Sequence, residues 1–142
     1  MQNFKNHGRM VPVYHYLLFF LLLLILVGSG MNLYHSWHEA DLHLGAVTLV
    51  IVAVALVLIT WYTRSFALKA QDRAIRAEEN LRHFALTGKL LDPKLRMGQV
   101  IALRFAPDEE FVALAKKAVA ENLDSKTIKQ SIVNWKEDNH RV

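Results

Sequence analysis

From Leu44 to Tyr62 the chain runs 19 residues without a charged side chain, and no glycine or proline follows Gly45 until Gly88. Nothing else in the sequence constrains the fold as much. An apolar run of this length matches the hydrocarbon thickness of a bilayer when coiled at 1.5 Å per residue. With no breaker after it, the helix is expected to continue through Arg64 into a long cytoplasmic extension ending near Thr87–Gly88. About 44 residues in one helix would rise roughly 66 Å. Along Ser65–Leu86 the residues Ala70, Ala74, Ala77, Leu81, Phe84 and Ala85 recur at helical spacing. Of these, Ala70, Ala74, Ala77, Leu81 and Phe84 are expected to form a packing seam, either for a partner helix or for the chain's own C-terminal domain. Asp72→Arg76 and Glu78→Arg82 set an acid four residues before a base, the favourable order on a helix surface.

A second apolar run lies upstream. Pro12 suits a first helical turn, and Pro12–Met31 gives 20 residues, again about one bilayer thickness. Tyr14, Tyr16, Tyr34 and Trp37 stand at its two ends, where aromatic belts belong. A basic start, an apolar run and the small residues Gly28 and Gly30 also suit a cleavable signal, but the segment is read as a retained span. The two spans, about 12–31 and 44–62, are expected to form an antiparallel hairpin, with Gly28, Gly30, Gly45 and Ala46 as its close-packing positions. Lys5 and Arg9 precede the first span and Arg64, Lys69, Arg73 and Arg76 follow the second. The connector at residues 32–43 holds Glu39 and Asp41 and no Lys or Arg. This asymmetry puts both termini in the cytoplasm and the connector outside. Arg64 and Lys69 are then placed to meet lipid headgroups.

Beyond Gly88 the composition is that of an ordinary soluble domain. Asp92-Pro93 has the form of a helix start, followed by an apolar run, Leu95–Phe105, interrupted at Gly98. Pro107-Asp108-Glu109-Glu110 opens another helix with three acids at its positive end, and Phe111, Leu114, Ala115 and Ala118 share a face. Asp124 is a cap for a last helix, with Leu123 and Ile128 as a hydrophobic staple and Ile128, Ile132 and Trp135 as its buried stripe. No strand-like alternation occurs. The fold class expected is all-α: a transmembrane hairpin within residues 1–63, an amphipathic extension at 64–88, and a small helical cluster at 89–142.

Several segments carry a family likeness. Gln2–His7 (QNFKNH), Pro12 with Tyr14-His15, Asn32-Leu33-Tyr34, Phe66–Leu91 and Gln99–Ala115 together resemble a family of small bacterial two-span membrane proteins of unknown function. The resemblance covers nearly the whole chain. It implies the two-span architecture and no activity, so no functional residues carry over. Separately, Gln99–Phe105 (QVIALRF) resembles the opening of the helix-turn-helix region of bacterial sigma factors. The helices expected over Asp108–Asn122 and Asp124–Asp138 would then stand as the two motif helices.

Little in the sequence points to chemistry. There is no cysteine, no glycine-rich phosphate loop and no nucleophile-elbow motif, and the spans hold almost no polar residue. His15 has only Thr60 and Trp61 opposite it at its depth, so one chain offers no second axial ligand for haem. The connector HSWHEADLH is the one cluster of potential metal ligands: if helical, His35, Glu39 and His43 share a face, with His38 and Asp41 nearby. The function expected is a non-enzymatic accessory, assembly or scaffold subunit of a membrane complex, without a cofactor. It would contact membrane lipids and either another protein or a second copy of itself. One alternative is a membrane-tethered regulator whose last helix reads nucleic acid through Lys126, Thr127, Lys129, Gln130 and Asn134. Against it, residues 106–142 carry six Lys/Arg and seven Asp/Glu, a net of −1. A divalent-metal-binding protein using His35, His38, Glu39 and His43 is the other.

Overall fold

The computed structural model describes Phe4, residues 10–38 and residues 40–138. Helix is the dominant structure among the described residues, which contain no strand. A π-helical turn (Val13–Leu18) leads into α1 (Phe19–His35), followed by a 3-10 turn (Ser36–His38) and α2 (Ala40–Thr87), α3 (Met97–Leu103), α4 (Asp108–Ala120) and α5 (Ser125–Ser131). Two helices are long and apolar enough to cross a membrane, and a small helical cluster follows them. The chain divides into two compact units at Phe66–Ala67, so α2 contributes to both.

In the first unit, α1 and the start of α2 run antiparallel. The Tyr14 hydroxyl donates to the Thr60 carbonyl at 3.5 Å, and the Arg64 guanidinium lies 5.7 Å from the Tyr14 ring centroid. At the other end Asn32 and Ser36 line one groove with Leu44–Ala46, Thr48 and Leu49. Only 6% of the most apolar stretch of the first helix and 11% of the second is buried, so neither behaves as the core helix of a globule. Hydroxyls on these helices bond to the preceding turn, Ser29 to Leu26, Thr48 to Leu44 and Thr60 to Leu56. Each hydroxyl thereby finds an acceptor within its own helix.

The second unit has a continuous core. Ile75 of α2 joins Leu91, Leu95, Val100, Leu103, Phe105, Phe111, Ala118, Ile128 and Ile132, with Trp135 packed alongside and its ring 5.0 Å from that of Phe105. Gly88 ends α2 as expected: it sits at φ +72, where only glycine is unstrained, and its N–H donates to the Phe84 carbonyl at 2.7 Å. Asp108–Ala120 forms the acid-led helix, and the Asp124 side chain accepts from the Thr127 N–H at 2.7 Å.

Two local expectations fail. Asp92-Pro93 opens a turn rather than a helix. The Asp92 side chain accepts from Lys94 N–H and its carbonyl from Leu95 N–H, and α3 starts only after Arg96, whose N–H is taken by the Gln99 side chain. The last helix stops at Ser131 instead of running to Asp138. Ile132 is extended at φ −76, ψ 122, and the Glu110 carboxylate accepts from the backbone N–H groups of Val133 and Asn134, both at 2.9 Å. Ile132 and Trp135 still face the core, but from extended backbone.

Candidate functional site

The surface with most to offer a partner lies on α2 beyond Ala67, and what places it is the face that the helical cluster occupies. Ile75, Glu79 and His83 are buried against the cluster. Arg76 donates to the Leu95 carbonyl at 2.8 Å and the Asn80 side chain accepts from Leu91 N–H. Arg82 is the hub: it bonds Glu79 at 3.1 Å, Asp108 at 2.6 Å and the Ala106 carbonyl at 2.7 Å, and its guanidinium lies 4.3 Å from the Phe111 ring centroid. Arg82 therefore pairs with the acid three residues before it and with one across the fold, not with Glu78. Burial pushes the Glu79 carboxyl above the usual range, against the opposing pull of Arg82. His83 is held through Nδ1, which bonds the Lys89 carbonyl at 2.6 Å, so that nitrogen carries the proton.

The inward face of α2 is thus largely polar, and the apolar face is outside. Ala70, Ala74, Ala77, Leu81 and Phe84 are all exposed, Leu81 at 68% and Phe84 at 51%. Of the two expected roles for this seam, packing on the chain's own C-terminal helices is ruled out. The reason is hydrogen bonding: Arg76, Asn80 and Arg82 find partners beyond α2 at Leu95, Leu91, Ala106 and Asp108, and Arg82 in turn holds the buried Glu79. No sequence periodicity distinguishes a polar face with partners from one in water.

The hairpin's close-packing positions also differ from those expected. A Cβ added at Gly28, Gly30 or Gly45 would meet nothing within 4 Å. Among the described residues of the hairpin the buried small ones are Ser29, Ser36, Ala46 and Ala53, so Ala46 alone of the expected set is buried. Ser29 sits between two glycines, and a hydroxyl bonded to its own helix serves a tight contact as well as glycine does.

The connector is shorter than the expected stretch at residues 32–43. His35 ends α1, and His43 lies in α2 against Trp37, ring centroids 4.9 Å apart. The two histidines therefore do not share a helical face. Glu39 lies outside the described residues, as do the side chains of His38 and Asp41. Among the described residues no group of three metal-ligating side chains converges. Arg64 stacks on Tyr14, and Lys69 is exposed.

The nucleic-acid residues are dispersed. α5 has seven residues, Lys129 lies 5.5 Å from the Phe105 ring centroid, and Asn134, beyond the helix, bonds Glu110. A groove of about 550 Å³, missed from sequence, opens between the Lys89–Leu95 loop and α4. It is lined by His83, Lys89, Leu91, Leu95, Lys116 and Val119 among others, and no motif announces it because its walls come from three separated segments.

No curated protein and no solved structure matches the chain significantly. A protein-family model described as "Family of unknown function (DUF6526)" matches residues 1–142, and the chain belongs to that family.

Proposed function

We propose that this protein is a non-enzymatic scaffold or accessory subunit of a bacterial inner-membrane complex. Its two apolar helices cross the bilayer, both termini are cytoplasmic, and the helical cluster serves as a platform on the cytoplasmic side. The observation that carries this reading is apolar surface without protein to cover it. Nearly every large side chain from Phe19 to Val27 and from Leu49 to Tyr62 is exposed, a surface only lipid or other membrane helices could accept. Charge placement supports the orientation: Arg64, Lys69, Arg73 and Arg76 follow the second span, while the connector carries no Lys or Arg. The second unit supports the platform role. Its polar residues at Glu79, Arg82 and Gln99 are committed to internal bonds, which gives a rigid body rather than a reactive site.

Extraction of the tagged full-length chain in several mild detergents, followed by mass spectrometry of the stoichiometric co-purifying proteins, tests the proposal. Membrane-embedded partners recovered in constant ratio are the expected result. A lone chain in every detergent, or a chain found in the soluble fraction, would overturn it.

A further inference from the structure

The exposed face of α2 has a finer order than helical periodicity. Ala67, Ala74 and Leu81 recur every seven residues, as do Ala70, Ala77 and Phe84, and the two sets alternate at spacings of three and four. This is the a/d pattern of a left-handed coiled coil, and all six side chains are exposed. Among the flanking positions two carry opposite charges. Arg73 holds a g position and Glu78 the e position of the following heptad, and both are exposed. In a parallel two-stranded coil each g residue faces the e residue five positions on in the partner helix. Arg73 of one copy would therefore face Glu78 of the other, twice by symmetry.

We infer that this face is a parallel self-association seam, and that its occupant is the same face of a second copy of the chain. The inference rests on the membrane reading in one respect: two copies inserted with the same topology carry α2 in the same direction, so only the parallel arrangement is open to them. The cluster does not obstruct it, because it occupies the opposite face through Ile75, Glu79, Arg82 and His83. Alanine at the first four a/d positions allows close backbone approach, and Leu81 and Phe84 supply the large apolar contact at the far end. Fewer than three heptads make a weak coil between freely diffusing chains. Confinement to one bilayer raises the effective concentration and offsets that weakness.

Single cysteines in this cysteine-free chain give the test, with the full-length protein in its own membranes. Ala77→Cys stands at a d position, where identical residues meet in an in-register parallel coil, and Leu86→Cys is also exposed but off the seam. Mild oxidation is expected to give a disulfide-linked dimer at Ala77→Cys and little at Leu86→Cys. In the Ala77→Cys background, Arg73→Glu or Glu78→Arg alone turns two attractions into two repulsions and should reduce dimer yield roughly tenfold. The double exchange Arg73→Glu/Glu78→Arg should restore it. Equal cross-linking at both cysteines, none at either, or failure of the double exchange to restore the dimer would overturn the inference. An Ala77→Cys adduct with a different polypeptide would also overturn it while leaving the scaffold reading intact. Absence of the chain from the membrane fraction would overturn both.

Discussion

Glu79 couples the stability of this protein to pH. It is buried, and loss of hydration raises its carboxyl above the ordinary value of 4.5. Arg82 is the main force opposing that rise, with Lys136 adding to it and Glu78 working against it. The folded state therefore holds the Glu79 proton more tightly than the unfolded state does. The stabilisation this gives is complete below the unfolded value and is lost as pH rises through the raised folded value. Glu79→Gln keeps the shape and an acceptor for Arg82 while removing the titration. Denaturation of both proteins across pH 4 to 8 should therefore show the variant gaining on the native chain as pH rises, beginning near the ordinary glutamate value. Parallel pH profiles would mean that Glu79 ionises in the fold as it does in water. At this scale the sequence was only partly readable. Gly88 was legible because a helix stop needs φ > 0, whereas Glu79 was not, because its partners Arg82 and Lys136 include a residue 57 positions away.

Among the elements, α2 was the most legible and also the one most easily misread. Its run to Thr87 followed from the absence of glycine and proline between Gly45 and Gly88, and α4 from its acidic first turn. Its orientation did not follow. Sequence reasoning turns the apolar side of a helix inward, but here the inward side carries Ile75 among residues that hydrogen-bond to the cluster, and the alanine, leucine and phenylalanine side faces out. α5 was misjudged for a related reason: Ile128, Ile132 and Trp135 keep a helix-like order while Glu110, from another helix, captures the backbone after Ser131 and ends the coil. This assignment of faces predicts a contrast in stability. Phe105→Ala empties a fully buried site against the Trp135 ring and should cost about 3–5 kcal/mol. Leu81→Ala and Phe84→Ala, measured in detergent at dilutions where chains are monomeric, should each stay within about 0.5 kcal/mol of the native protein. Equal losses at Leu81 and Phe105 would mean that the seam is packed inside the single chain.

For the whole molecule, the two apolar helices were plain in the sequence because length and lack of charge are one-dimensional properties. The contact between them was not, since burial of Ser29 and Ala53 rather than Gly28 and Gly30 depends on how the helices turn about their axes. The proposed membrane orientation, by contrast, rests on charge counts at the ends of the two apolar helices, which packing cannot alter. The proposed topology puts His35 outside and Gln130 inside. Both are exposed, so a cysteine at either is open to reagent on its own side of the membrane. Ser36 would be a poorer reporter, because it is 7% exposed and its failure to react would be ambiguous. In intact cells His35→Cys should react with a membrane-impermeant maleimide and Gln130→Cys should not, and after permeabilisation both should react. The chain has no cysteine of its own to blur the result. The reverse pattern would place the helical cluster outside the cytoplasm, and labelling at both positions in intact cells would mean that the apolar helices do not form a two-span hairpin. A useful control inverts the charge bias: adding several lysines at residues 32–35 while removing the positive charges of Lys5 and Arg9 should weaken or flip the preference, since cytoplasmic retention follows the Lys/Arg excess in short flanking segments.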